Sequence, residues 1–419
     1  MALSRRRRLV YIGLLYLCLL GVLEVGFRLA AAVSPRWALM LSPGIAMTIS
    51  DPALGTRPNP EAPDHDAAGW RNAEIRETVS VVAIGDSQTY GHTVSRSNAW
   101  PQRLEQMTGL PVYNMALGGY NPVQYLALID EALELSPRVV LVGIYSGNDL
   151  AGSYSAVYAE GLGAELRSTD PEVLRSIEHR NASTPPVHDA WLRTQTSRRS
   201  TWKRWSDTLL YPVRAHSTVW GLARAASKWG RSGPGRMKQD LVRTRWADYH
   251  AVAVQADPAI LFPVDTGNAR TVFTPSSWLM TMDQSDPRVA EGARITLDAI
   301  GRMQDACQRR CEVVPVFIPT KELAFAEAVP RGMGPPELDE LRRWETQWWA
   351  RAVSYLRERG MRWVDTLPRL RRSIARGDSP FYMDWNSHLN VIGNELVAQA
   401  VTASKPLQDL VDHSRPERR

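Results

Sequence analysis

Cysteine is almost absent from this 419-residue chain, which has only three. That excludes a disulfide-framed scaffold, and no Cys/His spacing suggests a zinc site. No cofactor or metal is expected. No internal repeat is present. Charged residues make up 22% and hydrophobic residues 44%, which excludes wholesale disorder. The chain is long enough to bury a large core and to form two or three domains.

The first thirty-odd residues stand apart. Arg5-Arg-Arg-Arg8 precedes an uncharged run from Leu9 to Leu23, and apolar character continues to Val33. Glu24 and Arg28 interrupt it four residues apart, on one helical face where they can pair. At a rise of ~1.5 Å per residue, Leu9 to Val33 is long enough for a tilted membrane helix. The arginines would stay cytoplasmic and send the rest of the chain across the membrane. An uncleaved single-pass anchor in a bacterial inner membrane is the favoured expectation, with a periplasmic or extracellular catalytic domain. The rival is a cleaved signal peptide, with Ala30-Ala31-Ala32 near the cut. Cys18 lies in this segment without the small-residue context of a lipoprotein site. Cys307 and Cys311 flank a predicted helix end, where an oxidising compartment permits a bridge. The alternative is two ordinary small side chains.

The formal charge of +6 is regional. Between Trp191 and Arg245 thirteen Lys and Arg stand against two Asp, so the chain outside this stretch and the arginine tip is net acidic. Five tryptophans accompany these cations: Trp191, Trp202, Trp205, Trp220 and Trp229. Either this is a solvated helical face packed by its tryptophans, or it touches anionic lipid headgroups or an acidic glycan. Nucleic acid is not an expected partner for a chain outside the cytoplasm.

The chain divides into a basic tip and anchor (1–33), an irregular lead-in (34–77), a first half-domain (78–154), an insertion (155–285), a second half-domain (286–405) and a disordered tail (406–419). Strands are predicted at Val79–Ile84, Pro111–Asn114, Val139–Ile144, Glu312–Ile318 and Arg362–Val364. Helices are predicted around Ser97–Met107, Pro122–Leu135, Val289–Cys307, Glu337–Glu358 and Val391–Val401. This β-α-β order predicts one doubly wound domain with a parallel sheet and right-handed crossovers, interrupted by a large, mostly helical insertion.

The most informative segment is Val79-Ser-Val-Val-Ala-Ile-Gly-Asp-Ser-Gln-Thr-Tyr-Gly91. A buried strand stopping at Gly85-Asp86-Ser87 would present the Ser87 hydroxyl at the sheet edge where open α/β folds bind ligands. Attack on an ester needs a nucleophile, a base and donors for the oxyanion. Ser87 is the candidate nucleophile and His388, before the last helix, the candidate base. The loop Asn114-Met-Ala-Leu-Gly-Gly-Tyr120 can turn a backbone N–H to the same edge, and Asn148 can offer its amide there. Asp86 and Asp149 read as structural acceptors, and His92 as a polar lining residue. Lys321 and Glu322 follow a strand end, where they either touch substrate or form a surface ion pair.

These four blocks, in this order, resemble the SGNH (GDSL-type) hydrolases. With the anchor, Gly118-Gly-Tyr-Asn-Pro-Val-Gln-Tyr125 and Ile318-Pro-Thr-Lys-Glu322, the chain resembles membrane-anchored bacterial members associated with cell-surface polysaccharide. The similarity covers about 79–154 and 286–401. It implies a three-layer α/β/α fold with a flavodoxin-like sheet, and an esterase acting on an acylated glycan or other small ester. An O-acyltransferase using the same site is the alternative, and a non-catalytic glycan-binding protein a third. It implies that Ser87 attacks the acyl carbon, that the N–H groups of Ser87 and Gly119 and the amide of Asn148 hold the oxyanion, and that His388 moves the proton. Gln88 replaces the family's leucine, which is expected to be harmless. The family's acid precedes its histidine by two or three positions, whereas Asp384 precedes His388 by four. Either the segment bulges so that Asp384 completes a triad, or Asp384 caps a turn and His388 has another partner.

Overall fold

The computed structural model describes residues 5–33, 47–62, 64–183, 246–267, 269–308 and 310–414. The basic stretch 191–245, and with it the expected anionic contact, lies outside the described residues. The chain forms two units, residues 1–47 with 196–244 and residues 48–195 with 245–419. In the first, Arg5–Val33 is a single helix on which Leu15 and Val22 are exposed and Glu24 pairs with Arg28. Among the described residues no helix is long and apolar enough to cross a membrane.

The second unit is built on a five-stranded parallel sheet. A short hairpin, β1 (Thr48–Asp51) with β2 (Gly55–Pro58), precedes it. The sheet strands are β3 (Val81–Gly85), β4 (Val112–Ala116), β5 (Val139–Tyr145), β8 (Glu312–Ile318) and β9 (Val364–Asp365), ordered β4-β3-β5-β8-β9. A second antiparallel hairpin, β6 (Phe262–Asp265) with β7 (Arg270–Phe273), lies in the insertion.

Both faces of the sheet are covered, which is why its strands read as unbroken apolar runs. Val82, Ile84, Val140, Val142 and Phe317 join one core with residues of helices Pro287–Cys307 and Pro336–Glu358. Val81, Ala83, Leu141, Val314 and Val316 join the other with residues of helices Trp100–Thr108, Leu367–Arg376 and Val391–Thr402. The expected three-layer, flavodoxin-like arrangement is therefore present. Its strand order reverses direction beside β3, so the turn after β3 opens at the topological switch point.

Several expectations need correction. The tail is ordered through helix Lys405–Ser414, because Leu407 and Leu410 are buried against the second core. Apart from β1 and β2 the lead-in from Thr48 onward is irregular, and it is packed into the domain: Leu54 and Trp70 are buried, and Arg71 donates to the carbonyls of Tyr90, Gly91 and Val94. The single helix expected over 122–135 is two, Pro122–Ala127 and Ile129–Glu134. Beside helices Pro171–Ser183, Trp246–Ala253 and Pro275–Met282, the described part of the insertion holds the β6–β7 hairpin. Cys307 and Cys311 are bridged, with Cα atoms 5.2 Å apart, rather than being two separate thiols.

Candidate active site

The candidate nucleophile is placed by backbone. The five residues of β3 are buried, and the strand stops at Gly85. A Cβ there would sit 2.2 Å from Thr89 Oγ1, so glycine is what lets Thr89 fold under the turn. Asp86 then caps a one-turn helix, Ser87–Tyr90, by accepting from the Gln88 N–H at 2.9 Å. Ser87 is therefore the first helical residue, half-buried, with its side chain at the strand's C-terminal end.

The candidate base comes from the opposite end of the chain. His388 Nε2 lies 2.9 Å from Ser87 Oγ. Its Nδ1 lies 2.8 Å from the Oδ1 of Asn386, which also accepts the backbone N–H of His388 at 3.0 Å. An oxygen facing that N–H must be an acceptor, so Nδ1 carries the ring proton and Nε2 offers its lone pair to the Ser87 hydroxyl. Burial first, and then the neighbouring His92, push the His388 pKa down to about 4. The ring is thus neutral at physiological pH, with the Nε2 lone pair free to accept a proton. The His92 ring centroid is 5.5 Å from that of His388.

Asp384 does not reach the histidine ring's Nδ1. Its Oδ1 accepts the backbone N–H of Asn386 at 2.9 Å and closes a turn, and the residue in contact with Nδ1 is Asn386. The expected Ser-His-Asp arrangement is corrected to a Ser87–His388 pair oriented by a neutral amide. A signal for this was present, because Asn386 occupies the two-residue offset at which the family's acid can stand.

The candidate oxyanion groups lie on the loops next to Ser87 and Asp86. A Cβ built on Gly118 would lie 3.6 Å from Ser87 Cβ, which puts the Gly118-Gly119 loop against the nucleophile. Gly119 is exposed and has φ +91°, a left-handed conformation that favours glycine. Asn148 Nδ2 donates to Asp86 Oδ2 at 3.2 Å, which leaves its second amide hydrogen for an oxyanion. Asp86 is fully buried, and desolvation raises its pKa to about 6 against the hydrogen bonds it receives. Asp149 is also fully buried and accepts from Tyr125 Oη and the Tyr145 N–H.

Two further side chains act on the histidine loop. Gln88 Nε2 donates to the carbonyl of Ser387 at 3.2 Å, and Gln88 Oε1 accepts the N–H of Leu389 at 3.1 Å. Its amide thus brackets His388 on both sides, contacts that the family's leucine could not make. Lys321 is neither in a surface ion pair nor exposed: its side chain is wholly buried, and Nζ donates to carbonyls of the same loop. Glu322 is buried too and accepts the Thr274 N–H at 2.9 Å.

Residues 272–418 match the family model of the SGNH hydrolase-like domain of acetyltransferase AlgX. That stretch contains Lys321, Asn386 and His388 and begins after the blocks of Ser87, Gly119 and Asn148. No curated protein matches the chain. Among solved structures, it is similar to a proposed G-D-S-L-family lipolytic protein of Desulfitobacterium hafniense DCB-2, at 12% identity over 77% of this chain and 97% of that one, with a TM-score of 0.32. It is similar to a proposed acylhydrolase of Bacteroides fragilis NCTC 9343, at 12% identity over 80% and 88%, with a TM-score of 0.33. A GDSL-like lipase of Bacteroides thetaiotaomicron VPI-5482 is similar at 10% identity over 81% and 93%, with a TM-score of 0.32.

Proposed function

We propose that this chain, a member of the SGNH/GDSL hydrolase superfamily, is a serine esterase that removes acyl groups, acetyl foremost, from a cell-envelope or exported polysaccharide. The observation that carries this is the 2.9 Å approach of His388 Nε2 to Ser87 Oγ, with Gly118 against the Ser87 side chain and the Asn148 amide on the adjacent Asp86.

In this reading Ser87 Oγ attacks the acyl carbon while His388 takes its proton. The developing oxyanion is held by the N–H groups of Ser87 and Gly119 and by the free Asn148 amide hydrogen. Collapse breaks the ester bond, and His388 returns the proton to the leaving sugar hydroxyl. Water, deprotonated by His388, then attacks the acyl carbon, the bond to Ser87 Oγ breaks, and His388 returns the proton to Ser87 as the carboxylic acid leaves. Hydrolysis of p-nitrophenyl acetate by the purified protein, and its loss by at least about 10⁴-fold in Ser87→Ala, is the expected result. Equal rates from both proteins would remove Ser87 from the chemistry.

A second reading is favoured by one observation: the family model matched by residues 272–418 bears an acetyltransferase's name. A sugar hydroxyl would replace water as the acceptor from acyl-Ser87, giving an O-acyltransferase. Incubation with an acetyl donor and a deacetylated glycan separates the two, because hydrolysis releases acetate and transfer acetylates the sugar.

The anchor belongs to this proposal and rests on the sequence, four arginines followed by an apolar run from Leu9 to Leu23. It puts the catalytic unit outside the inner membrane, beside envelope or exported glycan. Protease added to intact spheroplasts would then digest the catalytic unit, and protection until lysis would contradict the topology.

A further inference from the structure

We propose that Lys321 is a positioning residue for the catalytic base: its buried ammonium group clamps the backbone that presents Asn386 and His388 to Ser87. This rests on the Ser87–His388 reading and extends it to a group that touches neither substrate nor reacting atoms.

Lys321 opens the short helix Lys321–Ala324 just after the C-terminal end of β8. Its side chain is wholly buried, and the three hydrogens of the ammonium face three oxygens. They are the carbonyl of Asp384 at 2.8 Å, the carbonyl of Asn386 at 3.1 Å and the hydroxyl of Thr271 at 3.4 Å. All three acceptors are neutral. A buried cation held only by neutral oxygens keeps a desolvation cost that a direct ion pair would partly offset. Burial accordingly lowers its pKa to about 8, against the attraction of Glu322 and Asp384.

What that cost secures is the shape of one irregular segment. Between Phe381 and Leu389 there is no regular element, only an isolated bridge joining those two residues. The ammonium ties the two carbonyls on either side of Trp385. Thr271, on β7, extends the tie by donating its hydroxyl to the carbonyl of Tyr382 at 2.9 Å. The segment is thereby pinned at residues 382, 384 and 386. Asn386 is the residue whose amide oxygen holds His388 Nδ1. Without the ammonium, two inward-facing carbonyls lose their donor and the segment must turn them toward water. That rotation carries Asn386 Oδ1 off the ring, and His388 loses both its tautomer and its aim.

The test uses the full-length protein and a fluorophosphonate, which phosphonylates an activated serine. Lys321→Met fills most of the same buried, unbranched volume but supplies no donor. Its labelling of Ser87 is expected to slow by about 10²-fold, the cost of an ångström-scale misplacement. Its kcat on p-nitrophenyl acetate is expected to fall in parallel while KM stays within about twofold, since no substrate contact is removed. Ethylamine added to Lys321→Ala is expected to restore part of the labelling rate, which a general loss of packing would not allow. Folded Lys321→Met that is labelled as fast as wild type would overturn the proposal. If that variant does not fold, Thr271→Val decides: it removes one acceptor of the ammonium and the tie to Tyr382, and an unchanged labelling rate overturns the proposal equally. Failure of wild type itself to be labelled would instead overturn the nucleophile assignment of Ser87.

Discussion

The two halves of the reacting pair are held in opposite ways. Ser87 stands at the end of a fully buried central strand, and its position follows from ladder hydrogen bonds to β4 and β5 and from one capping carboxylate. His388 stands in a segment with almost no backbone pairing of its own, and side chains from distant parts of the chain hold it. Gln88 grips residues 387 and 389, Lys321 grips 384 and 386, and Thr93 Oγ1 donates to the carbonyl of Leu389 at 3.2 Å. A sheet can aim a nucleophile by itself. An irregular loop can aim a base only if it is pinned at many points.

Substitutions at the two sides should therefore fail differently. The largest effect after loss of Ser87 itself is expected on the nucleophile side, where Asn148→Ala should lower kcat by about 10²–10³-fold by removing one oxyanion donor. Burst kinetics would check that the loss lies in acylation. On the base side Gln88→Leu, which restores the family's leucine, should lower kcat by about tenfold, because two buried backbone groups beside His388 lose their partners. A wild-type rate in Gln88→Leu would show that the loop needs no staple there.

The pH profile sharpens the same contrast. The His388 pKa is pushed down to about 4, so the active neutral form accumulates as pH rises through that value. The acid limb of kcat/KM should accordingly lie near pH 4, well below that of an exposed histidine. Asn386→Asp puts a carboxylate on Nδ1, favours the imidazolium and should move the limb upward by about 1 unit or more. An unmoved limb would mean that residue 386 does not face the ring in solution.

How much of this was legible in the sequence follows the same division. The strand Glu312–Ile318 is found residue for residue, because a doubly covered parallel strand has to be a continuous apolar run. Ser87, Gly119, Asn148 and His388 stand out because they follow strand ends or precede a helix, and the structure brings Ser87, His388, the Gly118-Gly119 loop and Asn148 together. Helix Lys405–Ser414 was passed over although Leu407 and Leu410, buried and three apart, stand at helical spacing. Helix Leu367–Arg376 was likewise passed over, although Leu367, Leu370 and Ile374 follow an i, i+3, i+7 pattern among its arginines. The roles of Gln88 and Lys321 depend on contacts across 299 and 63 residues, which no local pattern encodes. Asn386 was within reach, since its offset from His388 is that of the family's acid.

The claim that a neutral amide, and not a carboxylate, orients the base is tested most directly by the turnover of Asp384→Asn. Asparagine keeps the oxygen that accepts the Asn386 N–H, so the turn survives and only the charge is removed. Turnover within about threefold of wild type is the predicted result, since loss of one charge outside the His388 hydrogen bonds should matter little. A fall approaching the ~10⁴-fold seen when a true triad acid becomes an amide would contradict it and restore Asp384 as the partner of His388.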